Sequence, residues 1–81
     1  MQAMTEGEAL KWLAGLFEER PETITRGTPR TAIPAWDSLG VLTLIAALDE
    51  EFGVPVSDAE IQRFETVDDV LCVLQKNGKL T

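Results

Sequence analysis

The chain has 81 residues, 44% of them hydrophobic and 26% charged, with 14 acids against 7 bases and no histidine. That length predicts a single domain over 1–81, since a chain this size buries only about 60% of its unfolded surface and cannot divide its core, and the apolar content predicts folding despite a net charge of -7. The acidic excess would repel a phosphate backbone, which argues against nucleic-acid binding, and it favours encounter with basic protein surfaces.

The opening "MQAMTEGEAL" has neither a basic region nor an apolar signal core, and no apolar run is long enough to span a bilayer. A cytoplasmic protein without membrane insertion is expected. In "TEGE", Thr5 and Glu8 have the spacing of a capping box. Ala9, Leu10, Leu13, Leu16 and Phe17 then recur at helical spacing, and the first helix is predicted to run on until Pro21.

From Arg20 to Trp36 the text "RPETITRGTPRTAIPAW" carries three prolines and Gly27, and it predicts one long loop. Ile24, Ile33 and Trp36 are expected to anchor it on the core, whereas Arg20, Arg26 and Arg30 are expected to be solvated. Trp12, at the margin of the first stripe, is expected to pack against this loop.

The second helix is predicted over "SLGVLTLIAALDEEFG", with an inward stripe of Val41, Leu44, Ile45, Leu48 and Phe52 and with Gly53 as its stop. Leu39, Leu42, Ala46 and Ala47 widen the apolar face, so this helix is either central or presents an apolar flank. "VSDAEIQRF" predicts a short third helix with Ser57 and Glu60 as a capping box and Val56 and Ile61 as a hydrophobic staple. The last helix, in "ETVDDVLCVLQKNG", is capped by Thr66 with Asp69, striped by Val67, Val70, Leu71 and Leu74, and closed by Gly78.

Three longer helices, a short third one and a long first loop predict an all-α fold, a small four-helix bundle. Cys72 is the single cysteine and falls off the last stripe, where it reads as a packing residue; it allows no internal disulfide. Without histidine or a cysteine cluster, no metal site is expected. Screening of the net charge predicts that added salt or Mg2+ stabilises the fold.

The junction "AWDSLG", residues 35–40, carries the chemistry. Asp37 is placed as the cap of the second helix, Ser38 as its first residue, and Trp36 with Val41 as a staple. A purely structural role accounts for all three. Equally, a first-turn serine is exposed beside free backbone amides, which stabilise an anion attached to its hydroxyl, and Asp37 can help an incoming enzyme position a metal ion. Self-catalysis is not expected, because a serine nucleophile needs a base and the chain has no histidine.

"DSL" opening the second helix, "LIAALDEEFGV" closing it, the short "SDAEIQRF" and the final "TVDDVLCVL" together resemble the acyl carrier protein family, from Thr5 to Leu74. The resemblance implies a non-catalytic monomeric carrier whose Ser38 receives 4'-phosphopantetheine from a separate Mg-dependent phosphopantetheinyl transferase. In the holo form the arm's thiol would hold an acyl group as a thioester and present it to acyl-activating, acyltransferase or condensing enzymes. It implies that partners dock on Leu39, Gly40 and Thr43 and on the acids Asp49 and Glu50 at the far end of the helix.

Carriers of fatty-acid synthesis place an acid just after "DSL" and another three residues later, where this chain has Gly40 and Thr43. The resemblance therefore points to a specialised acyl carrier. Peptidyl carriers have a Gly-Gly pair where Ala35-Trp36 stands, which makes an aminoacyl or peptidyl cargo the less favoured alternative. A helical interaction module that binds partners without the arm is the other.

Overall fold

A computed structural model describes residues 3–80 of the chain. Four α-helices form: α1 (Glu6–Leu16), α2 (Ser38–Phe52), α3 (Asp58–Gln62) and α4 (Val67–Lys76). No strand forms among the described residues. Two isolated bridges occur, Met4 with Leu80 near the chain ends and Pro29 with Thr66.

Helix starts follow the local chemistry of the sequence. Thr5 accepts from the Glu8 amide at 3.2 Å, and the Glu8 carboxylate accepts from the Thr5 amide at 2.9 Å. At α4 the Asp69 carboxylate accepts from the amides of Thr66 and Glu65, at 3.1 and 2.7 Å. Ser57 accepts from the Glu60 amide at 3.1 Å, so α3 has a side-chain cap, and the return bond of a full box is not formed among the described residues. Each such cap satisfies an amide that the helix itself cannot.

Helix ends differ from expectation at one place. Gly53 (φ 64°) and Gly78 (φ 73°) close α2 and α4 in left-handed geometry, as the sequence predicted. α1, however, stops at Leu16 rather than continuing toward Pro21. Glu18 adopts φ 56°, while the Glu19 amide donates to the Ala14 carbonyl at 2.7 Å and the Glu18 amide to Gly15 at 3.3 Å. These two bonds form a Schellman closure built on a glutamate, without the glycine that usually signals one.

The core unites all four helices. Leu13, Leu44, Leu48, Ile61, Val67, Val70, Leu71 and Leu74 are fully buried, and Ile24, Ile33 and Trp36 from the first loop join them. Trp36 stacks on Phe17 at 5.3 Å between ring centroids. Trp12 departs from expectation: it packs edge-on against Phe52 at 4.9 Å, and its indole N–H donates to Glu51 at 3.1 Å. It therefore ties α1 to the end of α2 and not to the loop.

The long connection is also more structured than its prolines suggest. It contains two 3-10 turns, Pro21–Thr23 and Arg30–Ala32. Beyond the first turn, its carbonyls at Arg26 and Thr28 accept from the Asp68 and Val67 amides at 2.8 and 2.9 Å, while the Arg30 amide donates to Glu65 at 2.8 Å. The loop thus supplies partners for the orphan amides at the start of α4.

Of the three loop arginines Arg20 is exposed, as expected, whereas Arg26 and Arg30 are engaged. Arg26 donates to Glu6 and to Asp68, both at 2.6 Å, joining the starts of α1 and α4. Its hydrogen bonds to Glu6 and then Asp68 raise its pKa above the ordinary guanidinium value. Arg30 lies 5.5 Å over the Trp36 ring and donates to the Phe64 carbonyl at 3.2 Å.

Candidate functional site

The site is built where the first loop turns into α2. Asp37 is extended (φ -109°, ψ -162°), and its carboxylate accepts from the Gly40 amide at 2.9 Å while its carbonyl takes the Val41 amide at 2.8 Å. Trp36 before it and Val41 after it are both buried, so the helix entry is pinned from the core side. Ser38 then stands exposed as the first helical residue. Asp37 caps the third amide of the helix, and those of Ser38 and Leu39 have no carbonyl one turn back to bond within the helix.

This arrangement fits a phosphodiester on the Ser38 hydroxyl. The exposed oxygen is accessible to another protein, and the helix amides place partial positive charge beside it. No group of three or more His, Cys, Asp or Glu suited to hold a metal occurs among the described residues. Among the described residues no helix is long and apolar enough to cross a membrane.

Around Ser38 the surface of α2 is unusual for an exposed face. From Ser38 to Leu48 it carries no charged residue. Leu39 and Leu42 are 71% and 58% exposed, and Ala46 is exposed as well. The wide apolar face of α2 is therefore a flank offered to solvent, with only Ala47 of that set turned into the core. Asp49 and Glu50 stand exposed at its far end, while the neighbouring Glu51 is occupied by Trp12.

Gly40 and Thr43, also expected to face partners, lie in the first half of the same helix. Gly40 is buried, and a Cβ built there would overlap the Ala35 carbonyl oxygen. Its glycine is required by close approach of the loop backbone. Thr43 is exposed, but its hydroxyl donates to the Leu39 carbonyl one turn back at 3.0 Å.

Beside Ser38 the structure opens a depression of about 180 Å3 between the end of α1 and the start of α2. Leu16, Phe17, Ala35 and Leu39 give it apolar walls, and Glu18 and Asp37 contribute to its lining. The sequence suggests instead a chain pocket on the α2–α3 side, shaped by Ala46, Ala47 and Phe64. There Ala47 and Phe64 are buried and Ala46 faces solvent. Glu18 and Ala35 carry no sequence signal for such a role, because they reach the depression only through the α1 closure and the approach of the loop to Gly40.

Comparison with known proteins agrees with this geometry. A family model described as a phosphopantetheine attachment site matches residues 36–71. The acyl carrier protein of Bdellovibrio bacteriovorus is 40% identical over 43 residues, covering 53% of this chain and 55% of that one. That of Thermosynechococcus vestitus is 54% identical over 35 residues, or 43% of each chain. The alignments thus span about half the length of the curated relatives. The solution NMR structure of a holo acyl carrier protein from Nitrosomonas europaea superposes with a TM-score of 0.68 at 30% identity, covering 88% of this chain and 92% of that one. The fold, the attachment-site match and this near full-length likeness place the chain in the acyl carrier protein family.

Proposed function

We propose that the protein is a non-catalytic carrier in which Ser38 bears 4'-phosphopantetheine and the arm's thiol holds an acyl group as a thioester. The exposure of Ser38 at the first position of α2, beside its capping Asp37, is the observation that carries this reading. In the loading step the Ser38 oxygen attacks the phosphorus of coenzyme A that bears the pantetheine. A phosphodiester forms, 3',5'-adenosine bisphosphate leaves, and a base of the transferase takes the serine proton. The chain contributes the hydroxyl, the helix amides that stabilise the bound phosphate, and an exposed carboxylate in Asp37 that helps the transferase hold its Mg2+.

Partner enzymes would meet an apolar front, Leu39 and Leu42, and an acidic rear, Asp49 and Glu50. A complementary surface would carry an apolar centre with basic groups to one side. The uncharged front supports a specialised acyl pathway rather than housekeeping fatty-acid synthesis, and a single free cysteine suits work in the cytoplasm. Intact mass after incubation with coenzyme A, Mg2+ and a broad-specificity phosphopantetheinyl transferase tests the assignment. The wild type is expected to gain one phosphopantetheine and Ser38→Ala none; no gain on the wild type, or a gain on the variant, would overturn it.

A further inference from the structure

We propose that the depression between the end of α1 and the start of α2 is a seat for the neutral, pantetheine part of the arm on Ser38. The inference rests on the assignment of Ser38 above. Asp37 and Leu39, the residues on either side of Ser38, both line this depression, so a chain attached to Ser38 starts next to it.

The lining selects which part of the arm enters. Leu16, Phe17, Ala35 and Leu39 offer apolar surface to the geminal methyl groups of the pantoyl segment, and the carboxylates of Glu18 and Asp37 can accept from amide N–H groups. No basic residue is among the lining groups, so the phosphate gains nothing by entering and stays at the α2 start. At about 180 Å3 the depression is smaller than the roughly 300–1,000 Å3 of pockets for drug-sized ligands, which suits one segment of the arm and not a long acyl chain.

Two further observations favour this flank. On the α2–α3 side, Ala47, Ile61 and Phe64 are 7% exposed or less, so those side chains are already packed. On the seat side, Leu39 is 71% exposed and would be covered by an occupant. Tethering raises the local concentration of the arm to the order of millimolar, so a seat of only millimolar intrinsic affinity is occupied about half the time. Such a seat shields the arm between encounters and still releases it to a partner.

The test uses isotope-labelled protein loaded with unlabelled phosphopantetheine. Intact mass is read first on the same sample: absence of the adduct defeats the assignment of Ser38 and is thereby separated from failure of the seat. With the adduct present, isotope-filtered NOEs are expected from the pantoyl methyls to Leu16, Leu39 and the Phe17 ring. Amide shifts between unloaded and loaded forms are expected at residues 16–18 and 35. Leu39→Ser, at an exposed position, is expected to remain folded and lose these NOEs. NOEs directed to Ile45, Val56 or Ile61, no NOEs at all, or shift changes confined to residues 37–39 would overturn the seat.

Discussion

Gly40 and Ala35 are in such close approach that a β-carbon on the glycine would overlap the alanine carbonyl oxygen. The same imagined atom would lie 3.5 Å from Phe17, in ordinary contact. The obstacle is therefore backbone, which yields only if the loop before Ser38 moves. Gly40 thus couples the loop's position to the first turn of α2.

Replacing Gly40 by Asp, the residue type fatty-acid carriers place there, is expected to destabilise the protein by about 1–3 kcal/mol, the usual cost of overpacking. Gly40→Ala should also destabilise, although alanine improves helix propensity by about 1 kcal/mol. Urea denaturation of both variants measures this. A higher midpoint for Gly40→Ala would show that the loop moves freely and that the close contact constrains nothing.

Glu18 holds a left-handed conformation that costs an ordinary residue about 1–2 kcal/mol. Glu18→Gly is expected to raise stability by about 1 kcal/mol, part of the strain relief being offset by the greater freedom of glycine in the unfolded chain. Thermal melting checks the sign. A lower Tm would mean that the glutamate side chain contributes more to the α1 closure than its backbone strain costs.

What the sequence made legible was short-range. The capping residues at Thr5, Asp37, Ser57 and Thr66 act within three or four positions, and the buried stripes follow from helical periodicity, so both survive translation into three dimensions. In the first loop the apolar anchors Ile24, Ile33 and Trp36 were legible too, but long-range polar partners were not. Arg26 meets Asp68 across 42 positions and Trp12 meets Glu51 across 39, and no local pattern encodes such partners. Gly40 shows the same limit at the site: its neighbour in sequence reads it as a missing acid, whereas its neighbour in space is the Ala35 carbonyl.

The two kinds of leucine on α2 should separate stability from recognition. Leu44 is fully buried, and Leu44→Ala is expected to cost about 2–5 kcal/mol, a large share of the roughly 5–15 kcal/mol that holds a small domain together. Leu42 is 58% exposed, and Leu42→Ala should change stability by no more than about 0.5 kcal/mol. The same variant should lower kcat/KM for loading by the transferase, provided that the apolar front is a docking surface. Unchanged loading kinetics together with an unchanged Tm would remove Leu42 from that surface.

Arg26 gives the salt response of the fold a second component. In the wild type, salt screens the repulsion of a chain with net charge -7, which stabilises it, and also screens the pairs of Arg26 with Glu6 and Asp68, which opposes the gain. Arg26→Gln removes the attractive pairs and adds one negative charge to the net balance, so only the repulsive part remains to be screened. The variant should melt below the wild type in low salt, and its Tm should climb more steeply as NaCl is added. Parallel Tm curves would place the Arg26 pairs among the surface contacts that contribute nothing measurable.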